Sequence, residues 1–259
     1  MSNSGEMSGR EFVEKVIEGE RDFSGIELEA GFDLGSYEMS EEMQNKLRKR
    51  YFETLDMRQS RWLGVDAQGI RIPNLFALGA DFAGANFKEV WMGSKGMANF
   101  KGANLQNADF SDSYLLFPNF IGANLNGANF NNGRYPDAYF LDACLYKARF
   151  KGSNLCGALF SDADLTKAIF HDSDLRGAYF HRANVEMARF NGSDLVMIDF
   201  RDAKNLDKAN LTGARLAKIT VTEKEKRIIE DMCPQYFLED SSPDPNKRVP
   251  WYYRLNTRD

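Results

Sequence analysis

Every fifth residue from Phe100 to Phe200 is bulky and apolar, and Phe alternates with Leu along the run. Phe100, Leu105, Phe110, Leu115 and Phe120 set the pattern, while Tyr135 and Val185 stand in Leu positions. Two residues before each lies a small residue: Ala98, Ala103, Ala108, Ser113, Ala123 and onward to Ser193. Gly133 keeps this rule; Pro118 and Ile198 strain it. A fixed internal period is read before local propensity, because it dictates the whole architecture. A step of five matches neither the helical repeat nor the strand repeat.

A coil with right-angled corners does satisfy it. Five residues form one side, four sides close a turn, and turns stack through main-chain hydrogen bonds about 4.8 Å apart. The large residue and the small one before it both point inward. Alternation of Phe and Leu then puts Phe on two opposite sides and Leu on the other two.

The tandem units A-N-L-Q-N at Ala103, A-D-F-S-D at Ala108, A-N-L-N-G at Ala123 and A-D-L-T-K at Ala163 closely resemble the pentapeptide repeat family. The resemblance runs over roughly residues 65–221 and implies a right-handed quadrilateral β-helix. The expected fold class is an all-β solenoid with a helical insert near the N-terminus, a C-terminal capping helix and a tail. Three regions follow: 1–64 as an N-terminal cap, 65–221 as the β-helix, and 222–259 as the C-terminal helix and tail.

The phase of the repeat shifts twice. Met97 to Phe100 is a step of three, read as a tight corner lacking two residues, and Phe200 to Leu206 is a step of six, read as a one-residue bulge. An isolated first repeat lies at 21–30, around Phe23 and Leu28. After it, Ser40 and the acidic turn Glu41–Glu42 look like a helix start. Met43, Leu47, Tyr51 and Leu55 at four-residue spacing then predict an amphipathic helix over about 40–58. A shorter helix is expected at Glu11–Glu18, and another from Thr222 through Ile228, Ile229 and Met232 to Pro234. Solenoid ends need covering, because open strand edges invite other chains. Both flanks are therefore expected to cap, with a homodimer contact through the tail at Trp251, Tyr252 and Tyr253 as the competing expectation.

Charge separates the functional readings. The chain carries −5 overall, and residues 65–221 hold 16 acidic and 17 basic side chains. Members of the family of the quinolone-resistance and self-immunity types present an acidic rod to gyrase in place of DNA. A DNA mimic needs a continuous negative field, and a nearly neutral solenoid lacks one.

Residues twenty apart should stack in columns. One outward column reads Asn119, Tyr139, Leu159, Tyr179, Asp199, and beside it lies Leu141. Tyr139, Leu141, Leu159 and Tyr179 make an apolar strip of the composition expected at a protein-binding surface. Tyr114, Leu116 and Phe117 form a second apolar patch, expected to receive the inserted helix, with a helix presented outward to bind a partner as the competing expectation.

Catalytic chemistry has no foothold. His171 and His181 lack nearby cysteine partners, and Cys144, Cys156 and Cys233 form no C-x-x-C motif. The aspartates before each Leu or Phe belong to the repeat. The chain lacks a phosphate-binding glycine motif, a run of 18 apolar residues and a signal pattern. A soluble, cytoplasmic, non-enzymatic protein without cofactor, metal, membrane or direct nucleic-acid contact is expected. Its function is read as a scaffold for a protein partner, with a gyrase- or topoisomerase-binding DNA mimic as the alternative.

Overall fold

A computed structural model describes residues 5–34, 41–43, 45, 55–72, 75–92 and 98–233. Its frame is a set of parallel bridges between residues one turn apart. Asn99 pairs with Asn119, Asn104 with Asn124, Asp109 with Asn129 and Tyr114 with Arg134, and each column continues upward. Four columns per twenty residues give the coil four sides, which we number from the Asn99, Asn104, Asp109 and Tyr114 columns in that order.

Each side is closed by the same bonds. The Phe100 N–H donates to the Asn119 carbonyl at 2.7 Å, and the Asn119 N–H returns to Ala98 at 2.9 Å. Within the corner, the Ala103 N–H donates to the Phe100 carbonyl at 3.0 Å. The residue before the large one is often Asn or Asp because its side-chain oxygen accepts the N–H two residues on, as Asn119 does from Ile121 at 3.0 Å. Those side chains also stack: the Asn124 amide donates to Asn104 at 3.1 Å, and Asn129 to Asp109 at 3.0 Å.

The core follows the alternation. Phe rings on one side stack turn over turn, with Phe140 and Phe160 centroids 4.9 Å apart and their planes nearly parallel. Rings on the opposite side meet them edge-on, as Phe140 meets Phe150 at 5.7 Å and 83°. Leu and Ala fill the remaining interior and are fully buried. The slots are too narrow for loose packing, so register is enforced at every turn.

The ladder extends further toward the N-terminus than residue 65. Asp22 bridges Asp56, Glu27 bridges Arg61, and Asp33 bridges Asp66, so the isolated first repeat is a turn stacked on the next. Strands β1 (Glu6–Met7) and β2 (Glu27–Leu28) pair in parallel beneath it. Helix α1 (Gly9–Glu18) starts at Ser8, whose side chain accepts the Glu11 N–H, and stops at Gly19 with φ 113°. Its Phe12 ring lies 4.7 Å from both Phe23 and Trp62, which joins the helix to the first turns of the core.

The long helix expected over 40–58 ends before its last predicted position. Leu55 belongs to strand β3 (Leu55–Asp56), which pairs with β4 (Leu75–Phe76). Met43 is helical and buried; Leu47 and Tyr51 lie outside the described residues. The described ladder runs through Leu34 on side three, and its next described residue is Leu55 on side one.

The first phase shift also reads differently. Phe76 bridges Asn99, and Trp91 in β5 (Trp91–Met92) pairs with Tyr114 in β6 (Tyr114–Leu115), both 23 residues on. Three residues are added to that turn on side four, rather than two removed, and an addition of three and a loss of two give the same phase in a period of five. The second shift is the expected extra residue. Asn184 still bridges Lys204 at twenty, whereas Arg189 bridges Asn210 at 21. A 3-10 turn at Leu206–Lys208 takes up the difference, with Asn205 at φ 57°.

Beyond β7 (Asp194–Val196) and β8 (Arg215–Ala217), which pair in parallel, helix α2 (Glu223–Met232) closes the described chain. The Thr222 N–H donates to the Glu225 carboxylate at 3.0 Å, and Ile229 is fully buried. The aromatic tail at Trp251–Tyr253 lies outside the described residues.

Candidate partner-binding face

Side one gathers the strip. Tyr139, Leu159 and Tyr179 bridge one another in sequence, with the Phe140 N–H on the Leu159 carbonyl at 2.8 Å and the Phe160 N–H on Tyr179 at 2.7 Å. Leu141 sits at the corner of the same side and accepts the Gly122 N–H at 2.8 Å. Tyr179 is 47% exposed, and Tyr139, Leu141 and Leu159 are half-buried.

The position held by these three residues is the one that Asn or Asp holds elsewhere on the ladder. Tyr and Leu cannot accept the N–H two residues on, so three consecutive turns forgo a local bond worth roughly 1 kcal/mol each. Sides two and four largely keep it over the same height: Asp164 accepts from Thr166, Asn184 from Glu186, Asn154 from Cys156 and Asp174 from Arg176.

The strip has a charged margin. Asp199, the next residue in the column, is buried and chelated by Arg201 at 2.6 Å. Arg182 binds Asp162 at 2.6 Å, and the nearby ring nitrogen of His181 lies 3.1 Å from the Arg201 carbonyl oxygen. The Arg182 guanidinium holds the Asp162 carboxyl below its ordinary range.

The column also carries two apolar residues that the sequence reading left out. Phe76 and Leu78 are 42% and 36% exposed at the N-terminal end of side one, two turns before Asn119. Their 23-residue offset from Asn99 and Lys101 hides them from a twenty-residue count.

The second patch lies on side four. Tyr114 stacks on Trp91 at 6.3 Å, Leu116 is half-buried, and Phe117 is 41% exposed at φ 50°. Arg71, Trp91 and Tyr114 follow one another up this side.

Elsewhere the described surface offers little for chemistry. A cleft at the N-terminal end is lined by Glu6, Glu27, Glu29 and Leu63 among others. Among the described residues, no group of His, Cys, Asp and Glu is placed to hold a metal ion, and no helix is long and apolar enough to cross a membrane. His171 and His181 sit on opposite sides, three and one.

A family model for pentapeptide repeats matches the chain in eight copies, over residues 98–132, 143–182, 173–196 and 178–219. Several solved structures are similar to it. A trypsin-treated form of QnrB1, a plasmid-mediated fluoroquinolone resistance protein, is 18% identical over 68% of this chain and 88% of its own, with a TM-score of 0.31. HetL, a pentapeptide repeat protein involved in heterocyst differentiation regulation in the cyanobacterium Nostoc, is 16% identical over 82% and 96%, with a TM-score of 0.27. A further Nostoc pentapeptide repeat protein, alr5209, is 31% identical over 40% and 69%, with a TM-score of 0.28. No curated protein matched the chain.

Proposed function

The chain belongs to the pentapeptide repeat family, and from that premise we propose that it is a non-enzymatic scaffold whose first side receives a protein partner. The observation that carries this reading is the run Tyr139–Leu159–Tyr179, in which three successive turns replace a turn-forming side chain with an apolar one. Leu141 widens that strip, and Phe76 and Leu78 add apolar surface toward the N-terminal end of the same side. The hand proposed for the coil is right, the hand that parallel strands with a right-handed twist adopt at their crossovers.

The insert is proposed to dock over Tyr114, Leu116 and Phe117, because these apolar residues lie on side four, the side that follows Asp33 in the coil. Both flanks are proposed to act as caps of a cytoplasmic protein, with the tail as the place for any homodimer contact.

A topoisomerase-directed DNA mimic is the weaker reading. Carboxylates that would supply its field are neutralised in place: Asp162 by Arg182, Asp174 by Arg176, Asp194 by Arg215 and Asp199 by Arg201. The test is affinity capture with the full chain and with a Tyr139→Ser/Tyr179→Ser variant of matched thermal stability. Loss of a captured protein from the variant supports the scaffold; equal capture refutes the strip. A gyrase supercoiling assay with and without a fluoroquinolone separates the alternative, which requires inhibition of the enzyme or protection from the drug.

A further inference from the structure

Side three, opposite the apolar strip, gives up the same turn-forming position over the same turns, but to different residues. Arg149, Ile169 and Arg189 bridge one another where Asp109 and Asn129 stand in the turns before. Both arginines are exposed, and Ile169 between them is half-buried.

More cations converge on this place. Lys147 and Lys167 hold their ammonium groups 4.9 and 5.6 Å from the centre of the Tyr146 ring, at the corner between sides two and three. The neighbouring Lys147 ammonium, with Lys167, draws the Tyr146 hydroxyl below its ordinary pKa. Lys151 stands at the other edge of the side, two residues beyond Arg149. Among the described residues none of these five cations has an ion-pair partner, whereas Arg176, Arg182, Arg201 and Arg215 are each held by an aspartate. Of the carboxylates nearby, Glu186 is held by Lys208 at 2.9 Å and Asp164 accepts from the Thr166 hydroxyl at 2.6 Å, while Asp207 lies beside Lys208 and Asp172 follows Ile169 by three residues. Unpaired like charges held together repel one another, a cost that an anionic partner would remove.

We infer that side three is a second docking surface, which takes an extended, acidic segment of a protein along the turns across Ile169. Arg149 and Arg189 lie two turns apart, about 10 Å, a span that an extended strand covers in about three residues. Ile169 between them supplies apolar contact to a peptide side chain, which a bare polyanion would not use. The whole chain carries −5, so any anion is held by the local cluster against a repulsive long-range field. That repulsion grows with the charge of the partner and is greater for nucleic acid than for a short acidic segment.

The experiment uses the full chain and a fluorescent glutamate-rich peptide with one leucine, read by anisotropy at low and moderate salt. Binding is expected to weaken with salt and to fall about tenfold or more in Arg149→Gln/Arg189→Gln. Lys147→Gln/Lys167→Gln should fall in the same direction. Tyr139→Ser/Tyr179→Ser should bind the peptide as the parent does, which separates this proposal from the first-side reading. Absence of peptide binding overturns the proposal, as does equal binding by the arginine variant. Tighter binding of a single-stranded oligonucleotide than of the peptide overturns the choice of partner. Thermal melts of each variant exclude unfolding as the cause of a loss, and the exposed arginine and lysine side chains leave the core untouched.

Discussion

The hydroxyl of Tyr135 fills the space that Gly133 leaves open: a β-carbon at residue 133 would stand 2.1 Å from that oxygen. The neighbouring turns show what the gap is for. Ser113, Ser153 and Ser173 occupy the equivalent position and each donates its hydroxyl to the carbonyl of the Phe three residues back, at 2.6 Å. Ser193 reaches the Phe170 carbonyl one turn below. Tyr135 supplies the missing hydroxyl, donating to the Phe110 carbonyl and lying 2.9 Å from the Ser113 oxygen. Burial pushes the Tyr135 pKa up, so the donor is retained. Gly133→Ser alone should overpack the slot and cost about 1–3 kcal/mol. Tyr135→Leu alone should leave both a void and an unfilled hydroxyl site. The double substitution restores the repeat, and a denaturation cycle should find it cheaper than the sum of the singles by at least about 1 kcal/mol.

Phe150 tests the stacked core. Its ring lies 4.9 Å from Phe130 and from Phe170, and edge-on to Phe140 and Phe160. Phe150→Ala should cost about 3–5 kcal/mol, because turns locked above and below cannot collapse into the void. Phe200→Ala should cost less, since among the described aromatic residues that ring meets only Phe180 and Phe190. Equal losses in equilibrium denaturation would show that the ends are packed as tightly as the middle.

The core and the strip were legible because every turn repeats the same instruction, and Tyr139, Leu159 and Tyr179 fall where counting by twenty puts them. What failed was local. Leu55 lies four residues after Tyr51 and completes a helical stripe on paper, yet it pairs with Leu75 in the ladder. Spacings of four and five differ too little over a few residues to separate helix from coil. Phe76 and Leu78 escaped because phase is read modulo five, which cannot distinguish three residues gained from two lost. The basic cluster around Ile169 is spread over Lys147 to Arg189 in the sequence and becomes one place only when turns are stacked.

Asp174 predicts an acid response. The Arg176 guanidinium holds its carboxyl below the ordinary range, helped by the Arg176 N–H and the Cys156 thiol. A depressed folded-state pKa means that the stabilisation is complete above the unfolded value of 3.8 and is lost as pH falls through the folded one. Asp174→Asn should therefore be less stable than the parent near about pH 6, by under about 1 kcal/mol because the pair is largely solvated. The two should converge near about pH 2. Parallel thermal melts that fail to converge would place the effect in packing instead.

Met197 marks a turn whose residue works against its backbone. It is 60% exposed at φ 62°, in the corner column where Gly157 and Gly177 adopt φ 70° and 69°. A side chain with a β-carbon is strained there, and an exposed thioether gains little packing in return. Met197→Gly should stabilise the chain by about 0.5–1 kcal/mol, the relief of strain exceeding the entropy that glycine adds to the unfolded state. Gly177→Met should lose a similar amount in the same column, twenty residues earlier. The two substitutions exchange identical residues between equivalent corners, so their effects in chemical denaturation should have opposite signs. Destabilisation by both would mean that Met197 is held by contacts that outweigh its backbone geometry.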